Sequence, residues 1–168
     1  MTAPIPEFSR LVPVARLGAE PFRQDIEATE SERAALARRF DLVALDRLAA
    51  TVELVRRGDE AILLSADYQA DFAQSCVVTL DPVPGSISDT FQLLYGPPEL
   101  ASDDPEEAAL EPLASDWIDI GEAVAQEFSL ALPPFPRRPG ANVEAPAEPQ
   151  HPRGPFDKLA RLLDPKGT

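Results

Sequence analysis

The sequence contains one cysteine and one histidine in 168 residues. A lone thiol excludes an internal disulfide framework and fits a reducing compartment. Cys76 has no dependable second ligand, so no structural zinc site is expected, since such a site needs four. His151 lies among prolines in a stretch unfit to position a base or a ligand. No apolar run approaches the roughly 18 residues that span a bilayer. The N-terminal MTAPIPEFSRLV lacks a basic stretch followed by an apolar one, so no secretory signal is expected. No phosphate loop, dinucleotide fingerprint, GxSxG elbow or HExxH pair is present. Paired carboxylates do occur, Asp103 with Asp104 and Glu106 with Glu107, but on a stretch too polar to tune their pKa values by burial. These absences argue against an enzyme and against any metal or cofactor, and they favour a soluble, cytosolic chain.

The most informative absence is of positive charge. Residues 1–58 balance nine Arg against nine Asp or Glu, whereas residues 59–136 hold sixteen acidic residues and no basic one. Residues 137–168 return six basic and four acidic side chains, so the whole net charge of −14 comes from the central block. That block repels phosphate and makes a basic protein the electrostatically easier partner. A direct nucleic-acid contact would have to use the arginines of the first third, above all Arg33, Arg38 and Arg39.

Hydrophobic content of 44% supports a core over the first 130 residues or so, while 19 prolines imply that part of the chain is not globular. Glu7–Leu17 reads as a strand that Pro13 confines to an edge or a bulge, and Phe22–Ala28 as a second strand. Thr29 and Glu32 form a capping box that opens a helix over Glu30–Phe40. From Leu45 the period becomes two. Leu48, Ala50, Val52 and Leu54, then Ile62, Leu64, Ala66, Tyr68, Ala70 and Phe72, alternate with mostly polar neighbours on either side of Arg57-Gly58-Asp59. This predicts a long antiparallel hairpin. Cys76–Leu80 extends or follows it, DPVPG (81–85) predicts a turn, and Ile87, Phe91, Leu93 and Tyr95 one more strand.

Residues 96–115 predict a mobile acidic loop with a transient helix near Pro105–Leu110. Asp119 and Glu122 predict a second capping box, with Trp117 and Ile118 as a staple before it. The following helix carries an apolar stripe of Ile120, Ala123, Val124, Phe128 and Ala131, and Pro133-Pro134 stops it. Residues 137–154 read as a disordered Pro-rich linker. Residues 155–164 read as a short amphipathic helix displaying Phe156, Leu159, Leu162 and Leu163. The expected fold is therefore α+β. A single domain over 1–136 holds an antiparallel sheet with a long central hairpin, packed by two or three helices and followed by linker and tail.

SCVVTLDPV after a long strand, then an acidic loop, WIDIGEAVAQEFSLALPPFP, a linker and PFDKLARL together resemble the YceD family, named for large ribosomal RNA subunit accumulation. Asp116, Ile118, Asp119, Ile120, Ala131, Leu132 and Pro133 carry the most specific part, and Pro155, Phe156, Leu159 and Ala160 meet a terminal Pro-Phe-x-x-Leu-Ala motif. Many relatives have Cys-x-x-Cys after the long strand, where this chain has Cys76 and Thr79, and often Asn where it has Gly154. The resemblance implies a bacterial cytoplasmic, non-enzymatic factor in ribosome biogenesis. With the charge map, it predicts binding to a basic ribosomal protein or assembly partner, with ribosomal RNA served indirectly. The candidate contacts are Asp103, Asp104, Glu106 and Glu107 of the acidic loop and Phe156, Leu159 and Leu163 of the tail. The alternative is direct RNA binding through Arg33, Arg38 and Arg39.

Overall fold

The computed structural model describes residues 6–58, 60–97, 109–113 and 115–142. Its elements run β1 (Leu11–Pro13), a 3₁₀ turn (Val14–Arg16), β2 (Phe22–Glu27), α1 (Glu30–Arg39), β3 (Ala44–Arg57), β4 (Ala61–Ser75), β5 (Pro82–Gly96), β6 (Ala109–Pro112), β7 (Trp117–Asp119) and α2 (Ile120–Ala131). The main sheet has the order β2-β3-β4-β5-β6, and β1 and β7 form a separate two-stranded ribbon. The fold is α+β with two α-helices among the described residues.

The hairpin of β3 and β4 follows from the alternation in the sequence, since Leu54 pairs with Leu64, Val52 with Ala66 and Ala50 with Tyr68. All of these side chains are buried, together with Leu48, Ile62, Ala70 and Phe72. The helix α2 covers this face. Phe128 is fully buried and its ring meets those of Phe72 and Phe40 edge-on, at 5.6 and 6.0 Å between centroids. Such edge contacts add about 0.5–1.5 kcal/mol each to the burial of the rings.

α1 starts where expected, with Thr29 and Glu32 exchanging both bonds of a capping box. α2 also starts at its expected cap, Asp119, but Glu122 makes no reciprocal bond. Asp119 accepts from the N–H groups of Gly121 and Glu122 and from Arg10 N–H at 2.7 Å, so it joins the helix start to the N-terminal segment. The Glu122 carboxylate is drawn instead to Arg39 on α1, at 2.7 Å. Gly121 and Ala125 are buried in the helix, whereas Ala131, expected in the stripe, is exposed. A side chain at 121 would run into the Phe8 carbonyl, which is why glycine stands there.

Four further expectations are corrected. Residues 7–17 do not form one strand: only Leu11–Pro13 pairs, and the chain then tightens into the 3₁₀ turn. Trp117 and Ile118 do not merely precede the cap but form β7, paired with Pro13 and Val12. DPVPG is not a turn. The turn lies at Cys76–Leu80, and Pro82, Pro84 and Gly85 already belong to β5. Proline is tolerated because this end of β5 is the sheet edge, where a missing N–H costs no ladder bond. Gly85 lies opposite Phe72, whose ring occupies the space a Cβ would need. Finally, the sheet is not wholly antiparallel, since β6, inside the expected acidic loop, pairs in parallel with Leu93–Gly96 of β5. The rest of that loop, the linker beyond Asn142 and the expected tail helix lie outside the described residues.

Candidate functional site: the open face of the sheet

In a strand successive side chains point to opposite faces, so the residues between the core positions of β2–β5 must form a second surface. No helix covers it. The strand registers align its residues in four rows: Arg23, Glu53, Ser65 and Gln92; Asp25, Thr51, Asp67 and Thr90; Glu27, Ala49, Gln69 and Ser88; Arg47, Asp71 and Ser86. Five carboxylates thus share this face with two guanidinium groups. Small side chains dominate the rest, and they leave a shallow depression of about 640 Å³ lined by Asp25, Glu27, Arg47, Thr51, Asp67 and Gln69 among others. Cross-strand bonds hold the acids in place, with Thr51 Oγ1 donating to Asp25 at 2.6 Å and Ser86 Oγ to Asp71 at 2.7 Å.

A second acidic group lies on the helix side of β5. Burial raises the Glu127 pKa above the usual carboxylate range, and the nearby charges of Glu111 and Asp89 add to the rise. Burial, reinforced by Glu111, pushes the Tyr95 hydroxyl up to about 12. Negative charge therefore borders β5 on both sides. An incoming cation is favoured in such a field.

The arginines proposed for RNA are placed less favourably. Arg39 bonds to Glu122 at 2.7 Å and to Glu7 at 3.0 Å, and the bonds with Glu122 raise its pKa further. Arg33 donates to the Ala28 carbonyl at 2.7 Å. Arg38 is exposed and makes no ion pair among the described residues. Two of the three guanidinium groups thus serve the fold. The candidate contacts Asp103, Asp104, Glu106, Glu107, Phe156, Leu159 and Leu163 lie outside the described residues.

Cys76 sits under the β4–β5 turn, fully buried. Its Sγ accepts from the Arg138 N–H at 3.4 Å, and this bond, then those from Thr79 and Val78, lowers its pKa to about 6. Arg138 also pairs with Asp81 at 2.9 Å, while Val77 N–H donates to the Pro136 carbonyl. The thiol thus anchors the segment after α2 onto the turn, and burial withholds it from solution reagents. No group of three or more His, Cys, Asp or Glu able to hold a metal ion occurs among the described residues. No helix among them is long and apolar enough to cross a membrane.

The open face was missed in the sequence although its signal was there. The alternation that identified the core of β3 and β4 also places Glu53, Thr51, Asp67, Gln69 and Asp71 on their opposite side. The rows needed the strand registers.

Comparison with known proteins adds the biological frame. The family model described as large ribosomal RNA subunit accumulation protein YceD matches residues 64–163. The match covers more than half of the chain, and the chain belongs to that family. No curated protein and no solved structure matches it.

Proposed function

We propose that the protein supports accumulation of large-subunit ribosomal RNA in the bacterial cytoplasm by holding a basic ribosomal protein or assembly partner, without catalysing a reaction. The family description supplies the link to the RNA. The observation that carries the mode of action is the uncovered sheet face, where five carboxylates oppose two guanidinium groups beside a chain segment with no basic residue from 59 to 136. Phosphate is repelled there, and lysine-rich protein surfaces are attracted. The same surface offers hydrogen-bond acceptors in fixed rows, and the hydroxyls of Thr51 and Ser86 are spent on Asp25 and Asp71 across the strands, which suits recognition. Direct RNA binding through the first third is the weaker reading, because Arg39 and Arg33 are engaged within the fold.

The test is capture of large-subunit ribosomal proteins by the intact chain, with and without ribonuclease, over a salt series. Retention after ribonuclease that weakens steeply with salt, and that falls when Asp25, Asp67 and Asp71 are changed together to Asn, is the expected result. Capture abolished by ribonuclease and by charge reversal of Arg33, Arg38 and Arg39, but indifferent to the three Asn substitutions, would transfer the function to direct RNA contact.

A further inference from the structure

β2 is one edge of the sheet, and β5 is a second place at which it is incomplete among the described residues. β5 is 15 residues long, pairs along its whole length with β4, and pairs on its other side with β6 only over Leu93–Gly96. Three observations fix which backbone groups turn outward. Gly96 gives its carbonyl to Leu113 N–H on the β6 side, so the even-numbered residues face away from β4. Pro82 and Pro84 share that parity and have no N–H to offer. Thr90, again of that parity, donates its N–H to its neighbour Asp89 at 2.8 Å rather than to a strand. Ser86 and Ser88 have no backbone partner on this side among the described residues, and both are exposed.

A bare edge is ordinarily blunted by lysine, by proline, by a bulge or by a covering element. Here the prolines blunt only the first few residues, and no lysine or arginine occurs anywhere along β5. The carboxylates around the edge are those of Asp67 and Asp71 on the open face, Asp89 on the edge itself, and Glu111 and Glu127 on the helix side. We propose that the Ser86–Thr90 edge is a strand-addition site that receives an extended, basic segment of the partner protein. The proposal rests on the basic-partner reading above and names its docking mode. Main-chain bonds to Ser86 and Ser88 supply affinity, and the flanking carboxylates select Lys and Arg on alternate positions of the added strand. The site admits about five residues, some 17 Å of extended chain. A second copy of this chain would bring Asp89 against its own like charges, which favours a foreign strand of opposite sign over self-pairing.

The experiment uses the intact chain and the protein fraction of large ribosomal subunits freed of RNA by ribonuclease. Amide hydrogen exchange of the wild-type chain is compared with and without that fraction, and capture is compared for wild type, S88P and D67N/D71N. Slowed exchange at Ser86 and Ser88, together with capture at least 10-fold weaker for S88P while D67N/D71N weakens it less and in a salt-dependent way, is the expected result. Because exchange is read on the wild type, a folding defect in S88P cannot decide the matter. Capture by the wild type that is lost in D67N/D71N, with Ser86 and Ser88 unprotected, would overturn the edge site and leave the basic-partner reading standing. No binding of the wild type would overturn both. A concentration-dependent dimer with the edge protected and no basic partner bound would assign the edge to self-association and overturn the proposal.

Discussion

The two faces of the central sheet are made by the same strands and obey opposite rules. On the covered face Leu48, Val52, Leu54, Ile62 and Leu64 are essentially inaccessible, and Phe128 closes the layer from α2. On the open face the residues one position along include Thr51, Glu53, Ser65, Asp67 and Gln69, all half-buried or exposed. The difference teaches where stability resides in this chain and which surface is left for the proposed partner. Removing apolar surface from water is the main force that drives folding. The covered face therefore holds the domain together, while the open face can be varied at small folding cost and is thereby free to serve a partner.

The largest effect that would break this contrast is expected at Phe128. Phe128→Ala removes the ring that joins Phe40 and Phe72 and should lower stability by about 3–5 kcal/mol, read as a denaturant midpoint. The paired substitution on the other face, Asp67→Ala, should move it by no more than about 0.5 kcal/mol. A loss of several kcal/mol in the second variant would mean that the open face is not open. Gly121→Ala comes next, because its new Cβ meets the fixed Phe8 carbonyl rather than a side chain that can swing aside. Overpacking of this kind costs about 1–3 kcal/mol. The same exchange at the unobstructed Gly18 should cost less than at 121.

Between the faces lies the corner where Arg10 reaches Glu32 at 2.7 Å. The hydrogen bond from Arg10 is the main reason that the Glu32 pKa is lowered from 4.5 to about 2. A depressed carboxylate pKa gives stability that is present above the unfolded value and lost as pH falls through the folded one. The window is therefore about 4.5 down to 2. The pair is only part-buried and still reached by solvent, so screening reduces the contribution to about 1 kcal/mol. Wild type should exceed Glu32→Gln by about that amount at pH 6, and the gap should close as pH approaches 2. A gap that is unchanged at low pH would show that Arg10 stabilises this corner by packing on Phe8, over which its guanidinium lies at 4.8 Å, rather than by charge.

Much of this fold was legible in the chain because much of it is local. The α1 capping box spans three residues and the β3–β4 hairpin is joined by a short turn, so periodicity and turn chemistry sufficed. What escaped is non-local. β7 exists because Trp117–Asp119 meets Leu11–Pro13, more than 100 residues away, and nothing in either tripeptide announces the other. Glu122 left its expected capping role for an arginine 83 positions distant. Pro82 and Pro84 read as a turn until the register showed them on an edge, and the parallel β6 was hidden among acids and prolines. The candidate site followed the same division. Its residues were visible as the polar half of a period-two pattern, but their arrangement in rows, and the β5 edge left unpaired among the described residues, are properties of strand pairing.

The smallest expected effect tests the assumption that exposure means tolerance. Leu80 is 77% exposed, so by the rule of the two faces its side chain should hardly matter. Its backbone is another case, because φ is +64°, in the left-handed region that a branched side chain disfavours. The conformation is imposed by the turn, in which Cys76 N–H donates to the Asp81 carbonyl and Leu80 N–H to the Cys76 carbonyl. Left-handed geometry costs a non-glycine residue about 1–2 kcal/mol, and glycine gives back about 0.5–1 through the greater freedom of its unfolded chain. Leu80→Gly should therefore raise stability by about 0.5 kcal/mol, the difference of those two effects. Leu80→Ala keeps the strained backbone and should gain nothing. A Leu80→Gly midpoint about 0.5–1 kcal/mol below that of Leu80→Ala would show that the turn carries no backbone strain. A loss in both would show that the exposed leucine packs against something, and would remove this corner of the molecule from the open, tolerant class.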